Sequence, residues 1–217
     1  MLPHIQEFIG VGHTKDIFIK GLRYIYFNGL DLTSKRGQKY RESVNPITMT
    51  VVDPSIGATI DIINNCILEY FPTSFLEKYA INVASGIEEK GFDYSYGERI
   101  NRDGQLDACI QKLKEFPETR QGTVVIRSPT DIYMRNPPCM TVINFKVRKN
   151  KLETFAWFRS NDALFGWPGN YMELLYTAYR VACEIGIKIS YIRTQSESMH
   201  YYLRNEEIVK LIIEEVK

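Results

Sequence analysis

Histidine and cysteine are scarce in this 217-residue chain, three of one and four of the other, and no two cysteines stand close enough to form a C-x-x-C pair. A zinc site built on clustered thiolates and imidazoles is therefore not expected, and a chain of this length does not need disulfides to be stable. Nowhere is there an uninterrupted apolar run of the roughly 18 residues that a membrane span requires. The opening MLPHIQEFIG also lacks a basic region followed by an apolar signal core, which points to a cytoplasmic protein. An excess of charge is missing too: 27 Lys and Arg against 26 Asp and Glu leave +1. No protein-wide pull on DNA or on anionic lipid follows from that balance, so any anion site must be local. What is present is the composition of an ordinary folded chain, 44% hydrophobic and 24% charged.

Periodicity divides the chain without any linker or repeat. Ile17, Phe18, Leu22, Ile25 and Tyr26 recur at helical spacing over 14–27, and Asn28-Gly29 supplies a stop. The polar stretch 31–45, with Lys35, Arg36, Lys39 and Arg41, reads as a loop entering a strand at 47–52. Residues 58–84 read as helix broken at Pro72, 91–102 as irregular and aromatic, and 106–116 as a short helix with a start near Asp103. Segments 123–126, 140–147 and 152–158 are rich in β-branched and aromatic residues and read as strands, the last two joined by the polar hairpin 148–151. A long buried helix over 170–185, closed by Gly186, a strand over 187–192 and a terminal helix over 205–216 complete the pattern. The fold class is α+β, one domain over 1–217, with a mixed β-sheet flanked by helices.

Pro137-Pro138-Cys139 sets a thiol at the entrance of a strand, where the prolines fix the backbone. A lone cysteine is ordinarily a small buried hydrophobe. Antiparallel pairing about the turn near residue 150, however, returns Arg159 and Ser160 toward Cys139, and a nearby guanidinium favours the thiolate that attacks carbon electrophiles. Beyond them lie Gly166-Trp167-Pro168-Gly169-Asn170 and His200-Tyr201-Tyr202. Pro-Cys, Arg-Ser-x-Asp, Gly-x-Pro-x-Asn and His-x-Tyr, in this order, resemble the thymidylate synthase family. So does the run of twenty residues from Cys139 to Arg159. Tyr94-Ser95-Tyr96-Gly97, Pro117-Glu118-Thr119-Arg120 and Glu69 extend the likeness, which covers about 69–202. The shortness of the chain resembles the compact archaeal type.

That resemblance implies dUMP as substrate and a consumed one-carbon donor, 5,10-methylene-tetrahydrofolate or methylene-tetrahydromethanopterin, with no metal. By it, Cys139 is the nucleophile that adds at C6 of uracil and turns C5 into a nucleophile. Glu69 and Tyr96 manage proton transfer at C4 and C5. Arg159, Ser160, Arg120 and Arg36 hold the phosphate, and Asn170 pairs with the pyrimidine edge, its amide matching N3–H and O4 of uracil. His200 and Tyr202 hold the sugar hydroxyl, while Asp162 and Trp167 stand on the pterin side. Read from the residues alone, Glu69 is an outward-facing helical carboxylate, Asn170 a helix N-cap, Asp162 a turn residue and His200 a structural histidine.

The chain departs from the family pattern at several points. Arg120 is followed by Gln121 where a second arginine is usual, Phe158 precedes the Arg-Ser pair where glutamine is common, and Trp167 and Gly169 replace the usual aliphatic and phenylalanine. Three functions follow as expectations: reductive methylation of dUMP, hydroxymethylation of dUMP or dCMP, and nucleotide binding without catalysis. The strand 152–158 alternates Leu152, Thr154, Ala156 and Phe158 with Glu153, Phe155 and Trp157, so neither face is fully polar. A second layer is needed, and a homodimer packed sheet to sheet would provide it, with Arg120 reaching the partner's phosphate site. A helix of the same chain over that face is the alternative.

Overall fold

The computed structural model describes residues 4–12, 14–55 and 94–214. In chain order the regular elements are β1 (Gln6–Val11), α1 (Thr14–Asn28), β2 (Leu30–Thr33), β3 (Lys39–Glu42), β4 (Ile47–Val52), α2 (Tyr96–Asn101), α3 (Gln105–Glu115), β5 (Thr123–Val125), β6 (Met140–Arg148), β7 (Lys151–Phe158), β8 (Asn161–Asp162), α4 (Gly166–Ile185), β9 (Lys188–Ser196), β10 (Met199–Tyr202) and α5 (Glu206–Glu214). The expected helix at 58–84, with Glu69 on it, lies outside the described residues.

Six strands form the larger sheet in the order β1-β4-β9-β7-β6-β5. The β1–β4 and β7–β9 pairs are parallel and the rest antiparallel, which makes the sheet mixed, as expected for an α+β chain. One face carries Met49, Val51, Ile192, Thr194, Ala156, Ile143 and Phe145, all buried beneath helices α1 and α4. Helix α1 seats Ile17, Phe18, Leu22 and Ile25 there, none of them exposed at all. Each such side chain contributes about 1.5–3 kcal/mol of transfer free energy. Gly21 of α1 crosses β4 so closely that a Cβ would collide with the Met49 side chain.

The opposite face is different. Strand register lines up Glu7, Thr48, Gln195, Trp157, Val142 and Val125 in one row and Ile9, Thr50, Arg193, Phe155, Asn144 and Thr123 in the next. Partners in register share a face, so this surface mixes aromatic, aliphatic and polar groups. Ile9 and Val125 are exposed on it, and no described helix packs over it. Local bonds hold its long side chains down: Trp157 Nε1 donates to Glu197 Oε1 at 2.7 Å and Arg193 Nε to Thr50 Oγ1 at 3.0 Å.

Four expectations are corrected. The stretch 31–45 is not a plain loop, since Leu30–Thr33 and Lys39–Glu42 pair as an antiparallel hairpin. Strand β10 pairs with β3, and β8 with β10, which completes a small sheet β2-β3-β10-β8. Residues 96–101 are helical rather than irregular, begun by Ser95, whose Oγ accepts from the Glu98 amide at 3.1 Å. Strand β1 was not expected at all. Helix α4 starts at Gly166 rather than Asn170, and β9 runs on to Ser196 instead of ending at Ile192. The hairpin between β6 and β7 is as tight as expected: Lys149 and Asn150 both have positive φ, 49° and 56°, the pattern of a twist-matched two-residue turn. No helix among the described residues is long and apolar enough to cross a membrane.

Candidate functional site

Cys139 precedes β6 directly and is held by the strand that answers it. The Arg159 amide donates to the Cys139 carbonyl at 2.9 Å, so the β6–β7 ladder continues past the ends of both strands. Register is irregular between Met140 and Val142, which marks a bulge beside the thiol. The Arg159 side chain folds back along the same segment. Nε donates to the Pro138 carbonyl at 3.0 Å, and Nη2 to the Pro137 carbonyl at 2.8 Å and to Cys139 Sγ at 3.5 Å. Its Nη1 makes no hydrogen bond among the described residues, which leaves a charged donor pair for an anion. Burial pushes the Cys139 thiol up from its ordinary range; Arg159 and then Arg127 pull it down, and Asp162 adds to the rise. The guanidinium thus acts in the expected direction but does not win, and the unliganded group is held as a thiol.

Tyr96 opens α2 and turns its hydroxyl under the same strand. Its oxygen accepts from the Cys139 amide at 3.2 Å and the Met140 amide at 3.0 Å, so one phenol satisfies two strand-entry donors. Tyr94, two residues earlier, stands edge-on at 5.3 Å between ring centroids, with its hydroxyl 3.5 Å from that of Tyr96. Desolvation raises both phenols, Tyr96 strongly. Arg99 lies over the Tyr94 ring at 5.8 Å and pairs with Asp131 at 2.9 Å, both side chains largely buried. That clasp fixes α2 against the segment leading to Pro137.

The small sheet brings the next group. Strand β8 runs parallel to β10 with Asp162 beside His200, and β3 flanks β10 on its other side, with His200 beside Glu42. His200 sits edge-on to both Tyr40 and Tyr202, each at 5.4 Å. Burial raises the Tyr202 phenol; Asp162 and Cys139 add to the rise, while Arg204 and Arg36 oppose it. Groups from four separate stretches of chain therefore surround one hydroxyl. Asp162 is raised by burial too, against the amides of Phe165 and Leu164 and the charges of His200 and Arg204; its Oδ1 accepts from those two amides at 3.2 and 3.0 Å. Arg36, at the tip of the β2–β3 hairpin, reaches Asn136 Oδ1 at 3.1 Å and the Arg135 carbonyl at 3.2 Å. The hairpin that was read as loop is what carries it there.

Asn170 is buried inside α4, past its first turn, so it does not cap that helix. Its Nδ2 donates to Asn161 Oδ1 at 3.0 Å, which orients the amide. Gly166 lies where a Cβ would press on Asp162 Cβ at 3.2 Å and Asn161 Oδ1 at 3.3 Å, so a side chain there would push β8 back by a few tenths of an ångström. Ser160 is half-buried, with no hydrogen bond among the described residues. Arg120 is exposed on the turn before β5 and makes no ion pair with them. Trp167 departs from expectation: it is 1% exposed, stacks between Phe18 and Tyr171, and gives its indole N–H to Thr194 Oγ1 at 2.9 Å. The early start of α4 rotates it onto the sheet, leaving it no surface for a co-substrate. Asn161, Tyr94 and Arg204 belong to the site and were not singled out from sequence, although Asn161 and Tyr94 lie within motifs that were. Among the described residues no cluster of three His, Cys, Asp or Glu could hold a metal ion.

Fold and site together define a mixed α+β protein with one thiol at a strand mouth, bordered by arginine, phenol, imidazole and amide groups. The thymidylate synthase family model matches residues 77–217, and the chain belongs to that family. A protein of Methanothermobacter thermautotrophicus provisionally named a thymidylate synthase is 32% identical over 93% of this chain and 98% of its own length. One of Methanosarcina mazei, named likewise, is 29% identical over 96% of this chain and 95% of its own. The deoxyuridylate hydroxymethyltransferase of Bacillus phage SP01 is 30% identical over 52% of this chain and 34% of its own length.

Proposed function

We propose that the protein converts dUMP to dTMP through a covalent adduct between Cys139 and C6 of the pyrimidine. The observation that carries this reading is the convergence on one thiol of Arg159 at 3.5 Å and, through the strand amides, of Tyr96. Arg159 Nη1, Ser160 and Arg36 take the phosphate, His200 and Tyr202 the sugar hydroxyl, and Asn170 the N3–H and O4 edge. As the thiol adds, a double bond opens and C5 becomes the attacking carbon. Tyr96 and Glu69 then move the protons at C5 and C4. A methylene-tetrahydropterin, tetrahydrofolate or tetrahydromethanopterin in type, supplies the one-carbon unit and the hydride when bound. Of the two residues expected beside it, Asp162 faces the site and Trp167 is buried against the sheet. The active unit in this reading is a cytoplasmic homodimer joined by the sheet face that no described helix covers, with Arg120 supplied across the interface.

The likeness to the phage enzyme favours hydroxymethylation as the second reading, in which water rather than hydride captures the exocyclic carbon. Incubating the protein and dUMP with each methylene-pterin separately and identifying the product tests both. dTMP supports the first reading, 5-hydroxymethyl-dUMP the second, and absence of any product with nucleotide bound supports a relative that no longer catalyses.

A further inference from the structure

Glu173 lies in the buried length of α4 with 1% of its surface exposed, and neither carboxyl oxygen has a hydrogen-bond partner among the described residues. Other buried carboxyls of the chain are used. Asp131 pairs with Arg99 at 2.9 Å and accepts the Ser128 amide at 2.7 Å, and Asp162 holds the turn into α4. Among the described residues Glu173 is the buried carboxyl without an evident structural task.

Its place on the helix says what it faces. At about 100° per residue, position 173 falls on the flank that carries Asn170, Thr177 and Arg180, away from the stripe of Trp167, Tyr171, Leu174 and Ala178 that meets the sheet. Arg180 on that flank bonds Asn101 of α2 at 2.9 Å and Asp107 of α3. The flank therefore looks toward α3 and the end of α2, the helix that delivers Tyr96 to Cys139. Glu173 stands two turns nearer the site than Arg180 and one turn from Asn170. Helical side chains lean toward the helix N-terminus, so its carboxyl covers the level of the Asn170 amide.

We propose that Glu173 is a further substrate-facing residue, presenting a carboxylic-acid proton to the C4 end of the pyrimidine beside the Asn170 amide. The inference rests on the thymidylate reading above. Burial pushes the carboxyl up to about 8, so near neutrality it is a donor rather than an anion. Charge accumulates on the C4 oxygen as the thiol adds at C6, and a donor placed there strengthens its hydrogen bond during the step rather than before it.

Three proteins measured side by side test it: wild type, Glu173→Leu and Glu173→Gln. Each is assayed for dUMP affinity by calorimetry, for kcat and KM of tritium release from C5-labelled dUMP, and for its thermal midpoint. The leucine variant should be at least as stable as wild type, because an unpartnered buried carboxyl is gone. Its kcat for tritium release should fall about tenfold to a hundredfold with KM changed far less. The glutamine variant keeps an N–H donor and should recover most of the rate. If the leucine variant does not fold, Glu173→Met takes its place. A leucine or methionine variant that releases tritium at the wild-type rate overturns the proposal, as does a glutamine variant as slow as the apolar one. Wild-type protein that neither binds dUMP nor releases tritium overturns the thymidylate reading, and this inference with it.

Discussion

Arg159 meets Cys139 twice: its amide donates to the cysteine carbonyl at 2.9 Å, and its guanidinium lies 3.5 Å from the sulfur. One residue is both the ladder partner that fixes the thiol and the charge that acidifies it. Arg159→Gln should therefore slow alkylation of Cys139 by iodoacetamide. Burial already raises the thiol and Arg159 opposes that rise, so its removal moves the pKa further up and lowers the thiolate fraction at any pH below it. Loss of that opposition predicts slower alkylation at pH 8, with a profile displaced to higher pH. An unmoved profile would show that the guanidinium serves only the proline carbonyls.

Cys139→Ala should bind dUMP yet release no tritium from its C5, because the addition that activates C5 needs sulfur. Wild-type protein should form a mass adduct with 5-fluoro-dUMP and a methylene-pterin, since fluorine cannot leave as a proton. Neither Cys109, buried and pushed up to about 11 by desolvation, nor Cys183, exposed on α4, should carry the label.

Asn170→Asp should move preference from dUMP toward dCMP by roughly one to two decades, the worth of one buried hydrogen-bond mismatch. The amide is oriented by Asn161 at 3.0 Å, so Asn161→Ala should weaken dUMP binding while leaving the dUMP to dCMP ratio nearer wild type. Competition between the two nucleotides measures both. An unchanged ratio in Asn170→Asp would remove Asn170 from base recognition.

Stability should fall with pH because of Glu173. Its carboxyl sits at about 8 in the fold against an ordinary 4.5. A raised carboxyl contributes fully below its unfolded value, and that contribution is lost as pH climbs toward the folded one. Glu173→Gln should thus gain on wild type between pH 5 and pH 8, on the order of 3 kcal/mol near pH 7, with no change in the difference below pH 4. Parallel urea titrations across that range would reveal a flat difference if the carboxyl were solvated.

Mixing Arg120→Ala with Cys139→Ala should restore activity through subunit exchange. If Arg120 acts on the partner's phosphate site, half of the subunit pairs are mixed and each has one intact site, about a quarter of wild-type activity. Arginine acting within its own subunit gives no recovery.

What could be read in advance depended on how local the cause was. The β6–β7 hairpin and its return of Arg159 to Cys139 follow from alternation and two polar turn residues, and both were legible. The β2–β3 hairpin was not, because every residue of Leu30–Thr33 is exposed and no buried face imposes a period on it. Its pairing comes from β10, more than 150 residues away, and with it the delivery of Arg36. Helix α2 has six residues, too few for a periodic signal, though Ser95 three residues before Glu98 was a start signal. Trp167 was placed by motif position, and packing on Phe18 overrode that placement. Glu173 announced itself only as one charge inside the run Tyr171–Leu175.

The irregular step between Met140 and Val142 has an arithmetical effect. From the turn up to Val142, each β6 residue faces a β7 residue in one frame; past the step, Met140 faces Phe158 and Cys139 faces Arg159, a frame displaced by one. Without that displacement Cys139 would lie across from Ser160, and Met140, fully buried beside Phe158, would swap sides of the sheet. A single surplus residue therefore decides whether the thiol is answered by a cation or by a hydroxyl. Deleting Thr141 would straighten the ladder and still leave Cys139 across from Arg159, whereas pairing Thr141 with Phe158 would set the nucleophile across from Ser160.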